Sequence, residues 1–278
     1  MKNKTGVLFA RSMRHILRSP DTIITVALMP IAMMLLFVYV FGGAVKTSIG
    51  DTVNYVNYQL PGILLMAIAS GIAYTAMRLF MDVQGGLFAR FCSMPIKRSS
   101  MLWGHVLTSL VSNMLTVVII FLIALMMGFR SSAGILSWLA VIGILALFTL
   151  ALTWVAVIPG ITGKTMEGAT GFSYPLIFLP MLSSAFVPTE TMPKAVRAFA
   201  ENQPVTSIVE TVRALLNAEP VGNDIWIALA WCVGIMAVAW FFAIRAYKKN
   251  GFFAEQTPPP GGVSCISDKH SVRASHSI

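Results

Sequence analysis

The sequence predicts an all-α membrane protein with six transmembrane helices, and three observations carry that reading. Only 11% of its 278 residues are charged and 56% are hydrophobic, whereas a soluble domain carries about 25% charged residues. The apolar residues gather into blocks long enough for a helix rising about 1.5 Å per residue to cross roughly 30 Å of hydrocarbon. Lysine and arginine sit beside the ends of those blocks, where anionic lipid headgroups would meet them.

The predicted spans lie near 22–43, 58–80, 103–128, 134–157, 168–187 and 225–245. The fifth holds Pro175 and Pro180, which remove backbone donors, so a kink is expected there. Before the first span, Lys2, Lys4, Arg11, Arg14 and Arg18 form a basic leader with no small-residue cleavage site after it. The first span therefore reads as a retained anchor, not a signal peptide. Within this leader, Phe9, Met13, Ile16 and Leu17 share one helical face, which predicts an amphipathic helix in the membrane interface. The domain plan is thus an interfacial segment over 1–21, a transmembrane domain over 22–245 and a tail over 246–278. That tail contains Pro258, Pro259 and Pro260 and lacks an apolar period, so disorder is expected.

Between spans five and six, the segment 188–224 is amphipathic rather than featureless. Thr191 and Pro193 mark one helix start, and Pro204 opens a run in which Val205, Ile208, Val209, Val212, Leu215 and Leu216 recur at helical spacing. Two short helices at the outer surface are predicted.

Orientation follows from charge. With the N-terminus inside, fifteen basic residues face the cytoplasm and five (Lys46, Arg130, Lys194, Arg197 and Arg213) face out. The positive-inside rule selects this topology, with both termini cytoplasmic.

Several functions are disfavoured. The net charge of +9 is spread along span ends instead of forming an aromatic-laced basic patch, so nucleic acid is not an expected partner; membrane lipids are. Cys92, Cys232 and Cys265 form no CxxC pair, and His15, His105, His270 and His276 are too scattered to suggest a metal site. No acidic residue falls at mid-span, whereas an ion-coupled carrier usually carries a carboxylate or broken helix there. Asp82 and Glu167 lie near inner ends and show no evident partner. Residues 160–165 read GITGKT, but a phosphate-binding loop would need glycine where Ile158 stands. The segment reads as a cytoplasmic turn, and no cofactor is expected on this chain.

The inner loop is the most informative stretch. Gly85 and Gly86 can end the second helix, and Pro95 would end a short helical piece beyond them. Asp82, Gly86, Arg90, Phe91, Ser93, Met94, Pro95 and Ile96, followed by Gly104, His105 and Val106, resemble the pattern of ABC-2 type permeases, notably the daunorubicin-resistance group. In the outer segment, SSAFVPTETMP at 183–193 and NQPVTSIVETVRAL at 202–215 are similar to that family's second signature. Cys92 stands where a further basic residue would be expected.

The resemblance implies a non-enzymatic permease subunit, in a homodimer or a heterodimer with a related permease, working with separate ATPase subunits that bind ATP and Mg. It implies that the inner loop, with Asp82, Gly86, Arg90, Phe91, Met94 and Pro95, docks on the ATPase. It points to export of an amphipathic or hydrophobic substrate such as an antibiotic across a bacterial plasma membrane. Lipid or polysaccharide export within the same family, an ion-driven carrier and a non-transporting scaffold stand as alternatives. Substrate-binding residues are not legible.

Overall fold

The computed structural model describes residues 20–41, 55–85 and 98–256. The predicted interfacial helix, the loop residues 86–97 and the chain beyond Gln256 lie outside them. Helix α1 (Pro20–Leu35) runs into a π-helical turn, Leu36–Phe41. Next come α2 (Tyr55–Gln84), α3 (Arg98–Met126) and α4 (Ile135–Thr162). Three short pieces follow: α5 (Met166–Thr170), α6 (Ser173–Phe178) and a 3₁₀ turn over Leu179–Leu182. A second 3₁₀ turn, Thr189–Thr191, leads to α7 (Lys194–Asn202), α8 (Pro204–Asn217) and α9 (Asp224–Gln256).

Four helices, α2, α3, α4 and the 224–246 part of α9, are long and apolar enough to cross a membrane. The α1 segment matches the first predicted span in position, but its apolar helix is shorter. Helix α9 runs well past the predicted end of the last span. The residues beyond Ala246 favour or tolerate helix, and the first proline after it is Pro258.

The fifth predicted span is corrected: residues 168–187 form no single kinked helix. Pro175 and Pro180 each delete a backbone donor, and Gly168 and Gly171 lower helix propensity on the preceding side. The broken segment nevertheless runs the length of α2. At its start, Gly163 packs on Ala169, close to where Gly160 meets Ala76 and Leu79 of α2; at its end, Ala185 packs on Gly62. Between Leu79 and Gly62, α2 rises about 25 Å. Gly62 lies so close to Ala185 that a β-carbon there would strike it, the small-residue packing typical of membrane helices.

Helix α2 is the centre of the molecule, touching α1, α3, α4, α8 and the broken segment. Most of its Tyr55–Leu79 stretch is buried, and its side chains anchor the main apolar core with Phe129, Leu145, Phe186 and Leu216. A smaller core at the Gln84 end of α2 gathers Leu79, Val106, Trp154, Val157, Ile161, Ala239 and Ala243.

The two short helices predicted between spans five and six occur where Pro193 and Pro204 place them, but they differ in setting. Helix α7 is largely exposed, with an Arg197–Glu201 pair at 2.7 Å along its surface. Helix α8 is not a surface helix: Val205, Ile208, Val209, Val212, Leu215 and Leu216 are all buried against α2, α4 and α9.

That insertion is set by hydrogen bonding. An irregular stretch inside a bilayer must find partners for its backbone groups. Three alternate carbonyls of the 182–186 stretch receive side-chain donors from elsewhere. Gln203 Nε2 donates to the Leu182 oxygen at 2.8 Å, Arg213 Nη2 to that of Ser184 at 2.7 Å, and the Tyr55 hydroxyl to that of Phe186 at 3.4 Å. Arg213, only 8% exposed, also donates twice to the Tyr58 carbonyl at 3.1 Å, lies 3.8 Å from the Tyr58 ring centre and pairs with Glu210 at 2.8 Å. The α3–α4 turn joins this assembly. Gly128, at φ 96°, makes a reversal that other residues resist, Arg130 N donates to Asn57 Oδ1 at 3.2 Å, and Ser131 Oγ donates to the Leu216 carbonyl at 2.8 Å.

Arg213→Met is therefore expected to destabilise the chain by about 2–4 kcal/mol, since hydrogen bonds to charged groups contribute about 1.5–3 kcal/mol. Arg213→Lys should recover less than half, because an ammonium cannot reproduce the planar fork. Thermal unfolding in detergent, followed by tryptophan fluorescence, measures both; equal stability of Arg213→Met and the parent would show that the clamp is idle.

Candidate functional site

Two polar stripes face each other between α2 and α3. On α3, His105, Thr108, Ser109, Ser112, Asn113 and Thr116 follow the i, i+3, i+4, i+7, i+8, i+11 spacing of one helical face. On α2, Gly71, Tyr74, Thr75 and Arg78 oppose them. With Val26 of α1, these residues line a small cleft. Polar side chains inside a span almost always face a helix interface or a cavity, and here they do both.

A three-helix ladder forms its back wall. Thr75 Oγ1 lies 2.8 Å from Ser109 Oγ, which lies 3.2 Å from Thr153 Oγ1 of α4. Thr75 also donates to the Gly71 carbonyl at 3.1 Å, Thr108 to that of Gly104 at 2.7 Å and Thr153 to that of Thr149 at 2.7 Å. Such i−4 back-bonding satisfies hydroxyl protons without leaving the helix. Asn113 Nδ2 donates to the Ser109 carbonyl at 2.9 Å. Its Oδ1 turns into the notch left by the absent side chain of Gly71 and has no donor among the described residues.

At the Gln84 end, Asp82 Oδ2 and His105 Nε2 lie 3.3 Å apart. This corrects the expectation that Asp82 has no partner. The pair joins the last turn of α2 to the beginning of α3, the two helices that flank the loop. Trp103 and Trp154 meet edge to face at 5.5 Å beside it, linking α3 to α4.

Of the predicted loop residues, Asp82 is placed as just described; Gly86, Arg90, Phe91, Met94 and Pro95 lie outside the described residues. Helix α2 stops at Gln84, and Gly85 N still bonds to the Met81 carbonyl at 2.8 Å. The GITGKT stretch closes α4 and opens α5: Gly163 N bonds the Pro159 carbonyl at 2.8 Å, and Thr165 Oγ1 caps α5 by accepting from Gly168 N at 3.1 Å. It follows a helix, not a strand. Cys232 is buried and unpaired, and no three His, Cys, Asp or Glu side chains gather as metal ligands among the described residues. The second signature folds onto itself, since Gln203 and Arg213 of its later half hold Leu182, just before its first half, and Ser184 within that half.

The ABC-2 type transporter family matches residues 3–217, most of the chain. The chain belongs to that family. A daunorubicin resistance ABC transporter permease protein, DrrB1, of Streptomyces coeruleorubidus is 28% identical over 244 residues, covering 86% of this chain and 84% of that one. A probable doxorubicin resistance ABC transporter permease protein, DrrC, of Mycobacterium tuberculosis is 26% identical over 220 residues, covering 78% of each. Both relatives are named as permease proteins of ABC transporters. The α2–α3 stripe is what sequence reasoning missed. Its signal was present in the spacing from His105 to Thr116, but scattered Ser and Thr in an apolar span look like packing until the opposing helix is known.

Ser109 is the hub of the ladder. Ser109→Ala should destabilise the ABC-2 permease by about 1–2 kcal/mol, as interhelical hydrogen bonds in membranes contribute about 0.6 and at most about 1.7 kcal/mol each. With Thr75→Val added, the two losses should be non-additive. Simple additivity in detergent unfolding would show that the two hydroxyls do not share one bond.

Proposed function

We propose that this chain is the transmembrane subunit of an ATP-driven exporter that moves an amphipathic or hydrophobic substrate, such as an antibiotic, out across a bacterial plasma membrane. The observation that carries the reading is the family match over residues 3–217, together with two relatives named for resistance to daunorubicin and doxorubicin.

In this reading, the chain crosses the membrane six times with both termini in the cytoplasm. The broken 166–186 segment supplies the fifth crossing, and its course along α2 supports that assignment. Two permease subunits, identical or related, work with separate ATPase subunits that hold ATP and Mg. The loop with Asp82, Gly86, Arg90, Phe91, Met94 and Pro95 receives the ATPase's motion. The Asp82–His105 pair supports this role, since it ties together the two helices on which a push at the loop would act.

Detergent purification of the tagged chain should bring down a stoichiometric companion that carries an intact phosphate-binding loop. Arg90→Glu should leave insertion intact but abolish substrate-stimulated ATP hydrolysis in reconstituted vesicles. Docking charges at an interface centre typically cost about 2–5 kcal/mol when disrupted. No companion at all would overturn the ATP-driven reading, while normal stimulated hydrolysis in Arg90→Glu would move the coupling surface elsewhere.

Topology is tested separately in a background lacking the native cysteines. Single cysteines at Asp51 and Glu201 should react with an impermeant thiol reagent added to intact cells, and one at Lys97 only after permeabilisation. Labelling at Lys97 from outside would reverse the orientation.

A further inference from the structure

By sequence, Glu210 belongs to the segment between the last two spans, but the insertion of α8 brings it in among the apolar helices. The two ends of α8 are pinned at different levels of the domain. The Leu216 carbonyl is held by Ser131 in the α3–α4 turn, and Gln203, just before the helix, holds the Leu182 carbonyl. Leu182 lies farther into the broken segment than Ala185, which packs on Gly62. Glu210 therefore stands about 9 Å along the helix axis from the residue tied to the turn. An ionisable side chain in such a place is rare, and it almost always faces a bundle interior or a water-filled space.

The open side of α8 has the wrong composition for lipid. Beyond Pro204, the residues of α8 that are not buried are Ser207, Glu210, Ala214 and Asn217, which share one helical face. Faces suited to lipid look different: Val118, Leu122 and Leu125 stand exposed on α3, and Val233, Val238 and Phe241 on α9. The Arg213–Glu210 pair is lopsided toward the same open side. Its Arg213 side chain is 9% exposed and its Glu210 side chain 38%. The guanidinium turns inward onto the carbonyls of Tyr58 and Ser184 and the Tyr58 ring, so its charge is met by buried acceptors. The carboxylate takes Arg213 on Oε1 at 2.8 Å and otherwise opens beside Ser207 and the small Ala214, its neighbours one turn away on either side. A pair whose cation is enclosed and whose anion is open presents negative potential to whatever approaches it.

From this asymmetry we infer that the open face of α8, with Glu210 at its centre between Ser207 and Ala214, receives the ammonium group of an amphipathic cationic substrate. It rests on the exporter reading and adds to it the charge of the recognised head and the residue that recognises it. An ammonium has three donors and no acceptor, which suits a carboxylate oxygen with a hydroxyl one turn away. Its bond to a carboxylate is charge-assisted and stronger than a neutral one. Lipid offers neither partner: tails cannot solvate Glu210, and a lipid phosphate would meet it with like charge. Arg213 keeps its carbonyl acceptors throughout, so Glu210 can share its charge between guanidinium and ligand without unpairing the buried cation. Ala214 leaves the space that a larger side chain would fill.

The test uses the full chain with its companion ATPase in lipid nanodiscs and two fluorescent probes that differ in one group. Doxorubicin carries a protonated amine at neutral pH; in N-acetyldoxorubicin that nitrogen is a neutral amide. The parent should bind doxorubicin about tenfold more tightly, the factor expected for one charge-assisted hydrogen bond at a partly open site. Glu210→Gln, which keeps an acceptor for Arg213, should bind the two probes within about twofold of each other. Ala214→Lys leaves Glu210 and Arg213 in place and tethers an ammonium one turn from the carboxylate, at the favourable Glu-to-Lys spacing. It should erase the preference too, while Ala214→Met, of similar length and uncharged, should keep it. In a background lacking the native cysteines, Ala214→Cys should react with a soluble thiol reagent, and saturating doxorubicin should slow that reaction at least about fivefold. Equal binding of both probes by the parent, or a preference that survives in Glu210→Gln and Ala214→Lys, overturns the site and leaves the exporter reading standing. Disulfide linkage of two chains through Ala214→Cys would assign this face to a second copy and overturn the site as well. If the parent complex binds neither probe and neither stimulates its ATP hydrolysis, the drug-exporter reading fails and the site fails with it.

Discussion

Everything at the Tyr55 end of the molecule depends on one constraint, the need to give hydrogen bonds to a broken stretch of backbone in an apolar setting. The carbonyls of Leu182, Ser184 and Phe186 cannot be served by a helix that Pro175 and Pro180 have interrupted. Their donors come from three places in the chain: Gln203 before α8, Arg213 within α8 and Tyr55 at the head of α2. Meeting that demand pulls α8 in from the surface, and Arg213 then fixes it to α2 through the Tyr58 carbonyl and ring. The apolar face of α8 contributes burial, but the guanidinium sets its depth and rotation, because a fork of fixed shape can reach two carbonyls of different segments in few orientations.

Polar groups fasten neighbours to α2 along its length in two different ways. Near Tyr55, the Arg213 guanidinium has a carboxylate, an aromatic face and two carbonyl acceptors around it. At mid-helix, Thr75, Ser109 and Thr153 form a chain of neutral hydroxyls in which each oxygen can donate to the next, so three helices share one run of hydrogen bonds. Such a chain joins helices without burying a charge.

Much of the fold was legible because a bilayer imposes long-range rules on local sequence. Scarcity of charge and block length located α1 to α4 and α9, and Pro193 and Pro204 placed the starts of α7 and α8 within a residue or so. What composition could not reveal was pairing. The apolar stripe on α8 has the same periodicity whether it lies on a lipid surface or inserts among α2, α4 and α9, and only Arg213, with its need for buried acceptors, distinguishes the two. Counting it as an outer positive charge concealed its role. Asp82 and His105 were both noticed as parts of one motif, yet their contact depends on the rotation of α2 against α3, which no single helix encodes. The polar face from His105 to Thr116 was legible as periodicity and was overlooked because each residue alone is a common one in membrane helices.

Helix α2 is where these separate arrangements become one mechanical object. Its Gln84 end is tied to α3 by Asp82–His105, and its middle to α3 and α4 through Thr75, Ser109 and Thr153. At its Tyr55 end, α8 and the broken segment are fastened to it through Arg213 and Gly62. Helix α2 is one thirty-residue helix whose Pro61 removes a backbone donor near the Tyr55 end; from there to Gln84 it is continuous, so displacement at one end is felt at the other as translation or tilt. The tie at the Tyr55 end is charge-assisted and reaches two segments, whereas the mid-helix α2–α3 contact rests on neutral hydroxyls. A force applied beside Gln84 would therefore be resisted least along that mid-helix contact, with the Tyr55 end held by Arg213.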